Sequence, residues 1–329
     1  MIFVSALPLL DCAFDITTFV FIAALLVLSV LSCCFVFHLR LKSKILTHLQ
    51  DFNSLWTVRL LLVAFIFLWA IVELFRSPFF RRRYLYSFLP SVDINQQDKF
   101  CKAHIILSLG FFEPAFLVIL LYLLSASIRK KTPNDIWAIT FVAITCLPVT
   151  TVQAILILLE PLENRLPGFF RLTSTSIVLR NGAGNETVLC AFPLLNSIAF
   201  GAFGIAYAIW FVVSSWKVLS LVINKGLRRR IHELSLTILI ALLLQIVSLM
   251  LTNFWDPDEV AYGVASLVAF LGAFACAAAG QGIMVIKPIS DALDAGGSCC
   301  RWSRSNTETT EEEPKGTMNR TGCNLRNQG

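Results

Sequence analysis

Residues 106–123 read ILSLGFFEPAFLVILLYL, an apolar run interrupted by Glu113 and Pro114. The run is close to the ~20 residues that a helix needs to cross a bilayer. A barrel strand would alternate apolar and polar residues over about ten positions, and this stretch does not alternate. It reads as a membrane helix that carries a carboxylate and a helix breaker near its middle.

Composition generalises that reading. The chain of 329 residues is 57% hydrophobic and 15% charged. Soluble domains are about 45–50% apolar and about 25% charged. A water-soluble core could not cover this much apolar surface, so the class is integral membrane protein. Seven runs satisfy the length criterion, at about 16–37, 55–75, 103–128, 136–159, 191–216, 234–254 and 260–286. The expected fold is an all-α, seven-transmembrane helix bundle over 16–287. Residues 1–15 form an extracellular N-terminus, 288–298 a short membrane-surface helix and 299–329 a disordered cytoplasmic tail.

The N-terminus lacks the basic start of a secretory signal, and its first apolar run is followed by Arg40, Lys42 and Lys44. Lys and Arg collect on the cytoplasmic side of membrane spans. With the N-terminus outside, most of the 27 Lys and Arg fall inside, including Arg129, Lys130, Lys131, Arg228, Arg229 and Arg230. One loop disagrees: Arg81, Arg82 and Arg83 fall outside, where they read as a solvated basic loop or as an anion-binding patch. Asn185-Glu186-Thr187 is a glycosylation sequon in the longest predicted outer loop. A second sequon, at Asn319, falls in the predicted cytoplasmic tail, where it stays unmodified.

Three of the ten cysteines fall outside: Cys12, Cys101 and Cys190. An oxidising exterior lets two of them pair. Cys101, at the outer end of the third span, and Cys190, before the fifth, are the expected disulfide, with Cys12 as a competitor. In the tail, Ile289, Ala292 and Leu293 share one helical face, and the adjacent Cys299 and Cys300 are palmitoylation candidates.

Enzyme signatures are missing. There is no HExxH, GxSxG or phosphate loop. The four histidines are scattered, so no zinc site, cofactor or catalytic residue is expected. Nucleic acid is not an expected partner.

Glu113 lies ~15 Å into its span, near the midplane. A carboxylate facing lipid at that depth is costly, so it should face the bundle interior. Pro114 removes a backbone donor and frees a carbonyl for another partner. Gln153, Asn196 and Gln245 lie at comparable or shallower depth. Together with Glu113 they form either a polar pocket open to the outside or a set of interhelical hydrogen bonds that hold the bundle together. In the last span, Ala265, Ala269, Ala273 and Ala277 recur every four residues beside Gly272, Cys276 and Gly280, a pattern that permits close helix approach.

The outline resembles a G-protein-coupled receptor, without the familiar motifs of the rhodopsin-like class. Span three ends SASIRKK and span seven ends GQGIMVIKP. The stretches FHLRLKS (37–43), FNSLWTVR (52–59), LGFFEPAFL (109–117) and FWDPDEVAYG (254–263) resemble a small plant family of orphan seven-span proteins. That family has been proposed as candidate G-protein-coupled receptors of the plasma membrane. The resemblance covers roughly residues 1–295 and implies an extracellular ligand. It also implies a heterotrimeric G protein met by Arg129–Lys131 and Arg228–Arg230. Two other readings stand beside it. In a proton- or cation-coupled carrier or channel, Glu113 would be the coupling site, although only one deep acid and no counter-charge are visible. In a membrane scaffold, every polar group would serve packing.

Overall fold

The computed structural model describes residues 7–43, 55–77, 80, 94–126, 135–158, 176–180, 186–255 and 259–291. Seven helices among them are long and apolar enough to cross a membrane. They are α1 (Leu7–Ser43), α2 (Trp56–Arg76), α3, α4 (Asp135–Leu158), α5 (Leu194–Leu221), α6 (Lys225–Leu251) and α7. Helix α3 runs as Ile94–Leu107, a π-helical turn Ser108–Phe112, then Glu113–Ala126. Helix α7 runs as Val260–Gly280 and then a π-helical turn Gln281–Ile286. In lipid no water serves the backbone, so a spanning segment must satisfy its own N–H and C=O groups.

The helices overrun the apolar windows. Helix α1 has 37 residues, α3 starts at Ile94 rather than 103, and α6 starts at Lys225 rather than 234. Apolar length measures the hydrocarbon thickness, whereas the hydrogen-bond ladder continues into polar turns such as INQQDK and KGLRRR. Between α4 and α5 lies an element not expected from sequence, an antiparallel hairpin of β1 (Ser176–Arg180) and β2 (Glu186–Cys190), with Ser176 opposite Cys190. Cys101 of α3 and Cys190 of β2 form a disulfide, Cα–Cα 5.2 Å.

By compact unit the chain divides into Met1–Ile289 and Ser290–Gly329. Within the first unit, α1 packs on α2 and α7, α3 on α2, α4 and α5, and α6 on α5 and α7. Helix α3 is central: 78% of its most apolar window is buried, against 22% for α4 and 28% for α1. Large apolar residues on the other helices, among them Ile144, Ile209 and Leu243, are exposed, as a lipid-facing surface requires. The small-residue stripe of α7 is buried against its neighbours. A Cβ on Gly272 would stand 2.7 Å from the Ala241 carbonyl oxygen of α6, and one on Gly280 would stand 2.7 Å from Leu120 of α3. Of the surface helix expected over 288–298, Pro288 to Asp291 are helical and Ile289 is buried. Residues 292–298 and the tail lie outside the described residues.

Candidate functional site: a buried polar core

Helix α2 places Trp69, Glu73 and Arg76 on one face, at positions i, i+4 and i+7. Helix α3 does the same with Cys101, His104 and Ser108. Without the π-helical turn, Glu113 would rotate away from Ser108, five residues earlier. In the turn, the Glu113 N–H bonds the Ser108 carbonyl, and the added residue returns Glu113 to the Ser108 face. Pro114 cannot donate to the carbonyl four residues back, that of Gly110. The Gly110 oxygen takes the Thr150 hydroxyl of α4 instead, at 2.8 Å.

A continuous polar core follows from that register. The His104 Nε2 lies 2.9 Å from Glu73 Oε1, and the Ser108 hydroxyl donates to the same oxygen at 2.8 Å. Arg76 Nη1 stands 3.5 Å from Glu73 Oε2, and Arg76 Nη2 donates to the Ser266 hydroxyl of α7 at 2.5 Å. Ser108 is also 3.1 Å from Glu113 Oε1. Trp69 Nε1 reaches both Ser108 Oγ (3.0 Å) and Glu113 Oε1 (3.2 Å). Gln245 of α6 donates to Glu113 Oε2 at 2.5 Å. Glu73, His104, Ser108, Glu113 and Gln245 are all less than a tenth exposed. Apolar walls close the core, with Trp69 stacked on Phe270 at 5.9 Å between ring centroids.

The core reaches the stapled loop. The Arg76 guanidinium lies over the Phe192 ring at 4.5 Å, and the His104 ring is 6.4 Å from the same ring. Phe192 follows Cys190 by two residues, so the disulfide, the hairpin end and the polar core are contiguous.

Of the two arrangements open to Glu113, Gln153, Asn196 and Gln245, the described residues show interhelical hydrogen bonds, in two separate pairs. Glu113 and Gln245 join as described. Gln153 and Asn196 form a separate α4–α5 pair, in which Gln153 Nε2 donates to the Asn196 carbonyl at 3.0 Å and Asn196 Nδ2 donates to Gln153 Oε1. All four are buried, and among the described residues their polar groups meet protein partners rather than an opening. Two long amides on facing helices satisfy each other best as a reciprocal pair, leaving neither free to reach Glu113.

The expectation of a single deep acid without counter-charge is also corrected. Glu73 is a second buried acid, Arg76 is its counter-charge, and His104 Nε2 is a hydrogen-bond partner of its other oxygen. Glu73 stands near the end of its span, where an acid is commonplace and does not stand out in sequence. The signal that reveals it is the i, i+4, i+7 row Trp69, Glu73, Arg76. Among the described residues no three His, Cys, Asp or Glu converge as metal ligands.

Arg228 and Arg229 are exposed in the first turns of α6, and Arg229 Nε bonds Glu233 at 2.9 Å. Arg230 beside them is half-buried. Asn185, Arg129, Lys130, Lys131, Cys299 and Cys300 lie outside the described residues.

No curated protein matches the chain. A family model matches residues 8–298, and the chain therefore belongs to the family described as Uncharacterised conserved protein UCP031277.

Proposed function

We propose that this multi-pass membrane protein is a receptor-like signalling protein of the plasma membrane, with its N-terminus and hairpin outside and its C-terminus in the cytoplasm. The orientation is supported by the basic residues of the predicted inner loops and by the disulfide, which needs an oxidising compartment. Glycosylation at Asn185, lost in Asn185→Gln, tests it directly.

The observation that carries the signalling reading is the contact of the stapled loop with the polar core through Phe192, Arg76 and His104. Beneath that contact, Ser108 has one hydroxyl proton and two carboxylate neighbours. Rotation of that hydroxyl exchanges its bond between Glu73, on α2, and Glu113, which is tied to Gln245 on α6. A ligand that presses on the loop would bias this choice and, with it, the packing of α2, α3 and α6. Such a ligand shifts an equilibrium only by its differential affinity for the two arrangements. The arginines at the start of α6 stand at the opposite end of that helix, where a cytoplasmic G protein would read the shift.

The test is co-purification with a heterotrimeric G-protein α subunit from mild detergent, with and without a non-hydrolysable GTP analogue. Capture released by the nucleotide, and lost when Arg228, Arg229 and Arg230 are changed to Ala, supports the reading. No capture, or capture indifferent to nucleotide, removes it.

A carrier is the second reading, favoured by one observation: Glu73 and Glu113 share a hydroxyl within a chain of polar groups that includes His104. Proton flux in liposomes that Glu113→Gln abolishes would establish it. A scaffold would show neither property.

A further inference from the structure

The end of the bundle opposite the disulfide carries a groove that the polar core does not use. Its cavity volume is about 590 Å³, within the range of small-molecule sites. Trp216 and Ser220 line it from the last turns of α5, and Lys225, Arg228, Arg229 and His232 line it from the first turns of α6. Those four α6 residues fall at i, i+3, i+4 and i+7, so a single helix face supplies all of them. None of the lining residues is acidic. Arg229 is held by Glu233, whereas Lys225 and Arg228 point into an exposed groove with no acidic partner among the described residues.

Basic residues are usual at a cytoplasmic membrane face, and most are simply solvated. This set differs in two ways. It converges on one cavity instead of spreading around the rim, and it stands on the wrong end of its helix. The first turn of α6 contains no acid, and Asn224 caps it by accepting from the Gly226 N–H. Cations there face the positive end of the helix dipole, an arrangement that an anion would relieve. The other lining residues identify the depth. Trp216 is three-quarters exposed and Leu219 lies beside it, the aromatic-and-cation composition of a headgroup layer.

We propose that this groove binds the phosphomonoester headgroup of a phosphoinositide-class lipid from the adjoining leaflet. A phosphomonoester carries about −1.5 to −2 charge and three acceptor oxygens, which match several converging donors better than a singly charged diester does. The Arg228 guanidinium offers a fork to two of those oxygens. Trp216 and Leu219 border the glycerol and upper acyl region. The assignment does not rest on the receptor reading: a carrier or a scaffold would bind the same lipid.

The test uses full-length protein purified in neutral detergent, titrated by native mass spectrometry. The probes are short-chain phosphatidylinositol bisphosphate, short-chain phosphatidylserine and tail-free inositol trisphosphate. The bisphosphate lipid is expected to bind most tightly. Lys225→Ala with Arg228→Ala should weaken it about 25-fold, each cation near an anionic surface contributing roughly fivefold. Arg228→Lys, which keeps the charge but loses the fork, should weaken binding by less than Arg228→Ala. Both residues are exposed, so the variants fold, and an unchanged unfolding midpoint checks this. Equal binding of phosphatidylserine overturns the phosphomonoester assignment. Equal binding of inositol trisphosphate overturns the lipid assignment in favour of a free phosphate. Unchanged affinity in the double variant overturns the site itself. None of these readouts involves a G protein, so the outcome separates cleanly from the capture experiment.

Discussion

Glu113 and Gln245 provide the sharpest test of the polar core, through a double-mutant cycle. Glu113 Oε2 accepts from Gln245 at 2.5 Å, and Oε1 accepts from Ser108 at 3.1 Å and from Trp69 at 3.2 Å. Changing Glu113 to Leu removes all three acceptor contacts, but their donors do not suffer equally. Trp69 keeps Ser108 at 3.0 Å, and Ser108 keeps Glu73 at 2.8 Å. Only the Gln245 amide loses its partner in a site that is 3% exposed. An orphaned buried donor costs about 1–3 kcal/mol. Gln245→Leu alone likewise leaves Glu113 Oε2 unpaired. In the double variant both orphans vanish, so its destabilisation should fall short of the sum of the singles. Measured couplings between membrane helices average about 0.6 kcal/mol and reach about 1.7 kcal/mol. A value in that range is expected, read from equilibrium unfolding in mixed micelles. Glu113→Gln, which keeps an oxygen for Gln245, should cost less than Glu113→Leu. Additivity within about 0.3 kcal/mol is the behaviour of independent sites and would refute the direct bond.

Three further outcomes follow from packing. Gly272→Ala should destabilise by about 1–3 kcal/mol, because the new Cβ meets the Ala241 carbonyl oxygen at 2.7 Å and a backbone oxygen cannot swing aside. Gly204→Ala is the control, since its 2.7 Å contact is the movable end of Ile246, and it should cost less in the same assay. Reducing the Cys101–Cys190 bond releases a loop spanning 89 positions in sequence, with an entropic upper bound of about 4.6 kcal/mol. Unfolding with and without reductant measures it, and the anchoring of α3 and α5 in a membrane should keep the loss below that bound. Arg59 is 7% exposed, and its Nε and Nη1 have no hydrogen-bond partner among the described residues. Two buried, unpartnered nitrogens are costly, so Arg59→Met, which removes them, should stabilise by about 1–3 kcal/mol, read from equilibrium unfolding in mixed micelles. A loss of stability would mean that an anion sits on the guanidinium in the membrane.

The legible part of the candidate site was what depends on one residue at a time. Glu113 stood out because an acid within an apolar run is costly wherever it points, and Pro114 because its missing N–H must free a carbonyl. Glu73 is not legible in sequence, because a span-end acid costs little in one dimension. Its importance comes from His104 and Ser108, distant in sequence and placed against it by the packing of α2 on α3. Gln153 and Asn196 shared a depth with Glu113, but depth alone says nothing about azimuth.

The sequence by itself determined the class, the seven spans and the cysteines available to pair, because hydrocarbon thickness and backbone satisfaction depend on local composition alone. Tertiary structure decided which polar groups meet. A straight α-helix would point Ser108 and Glu113 to different faces, and the π-helical turn at Ser108–Phe112 brings them together. That turn is held by neighbours in space: Thr150 of α4 on the Gly110 carbonyl, and Trp69 and Gln245 on the groups the turn aligns. One extra residue in a helical turn is a small local cost that only those contacts can repay, and they exist only once the bundle has assembled.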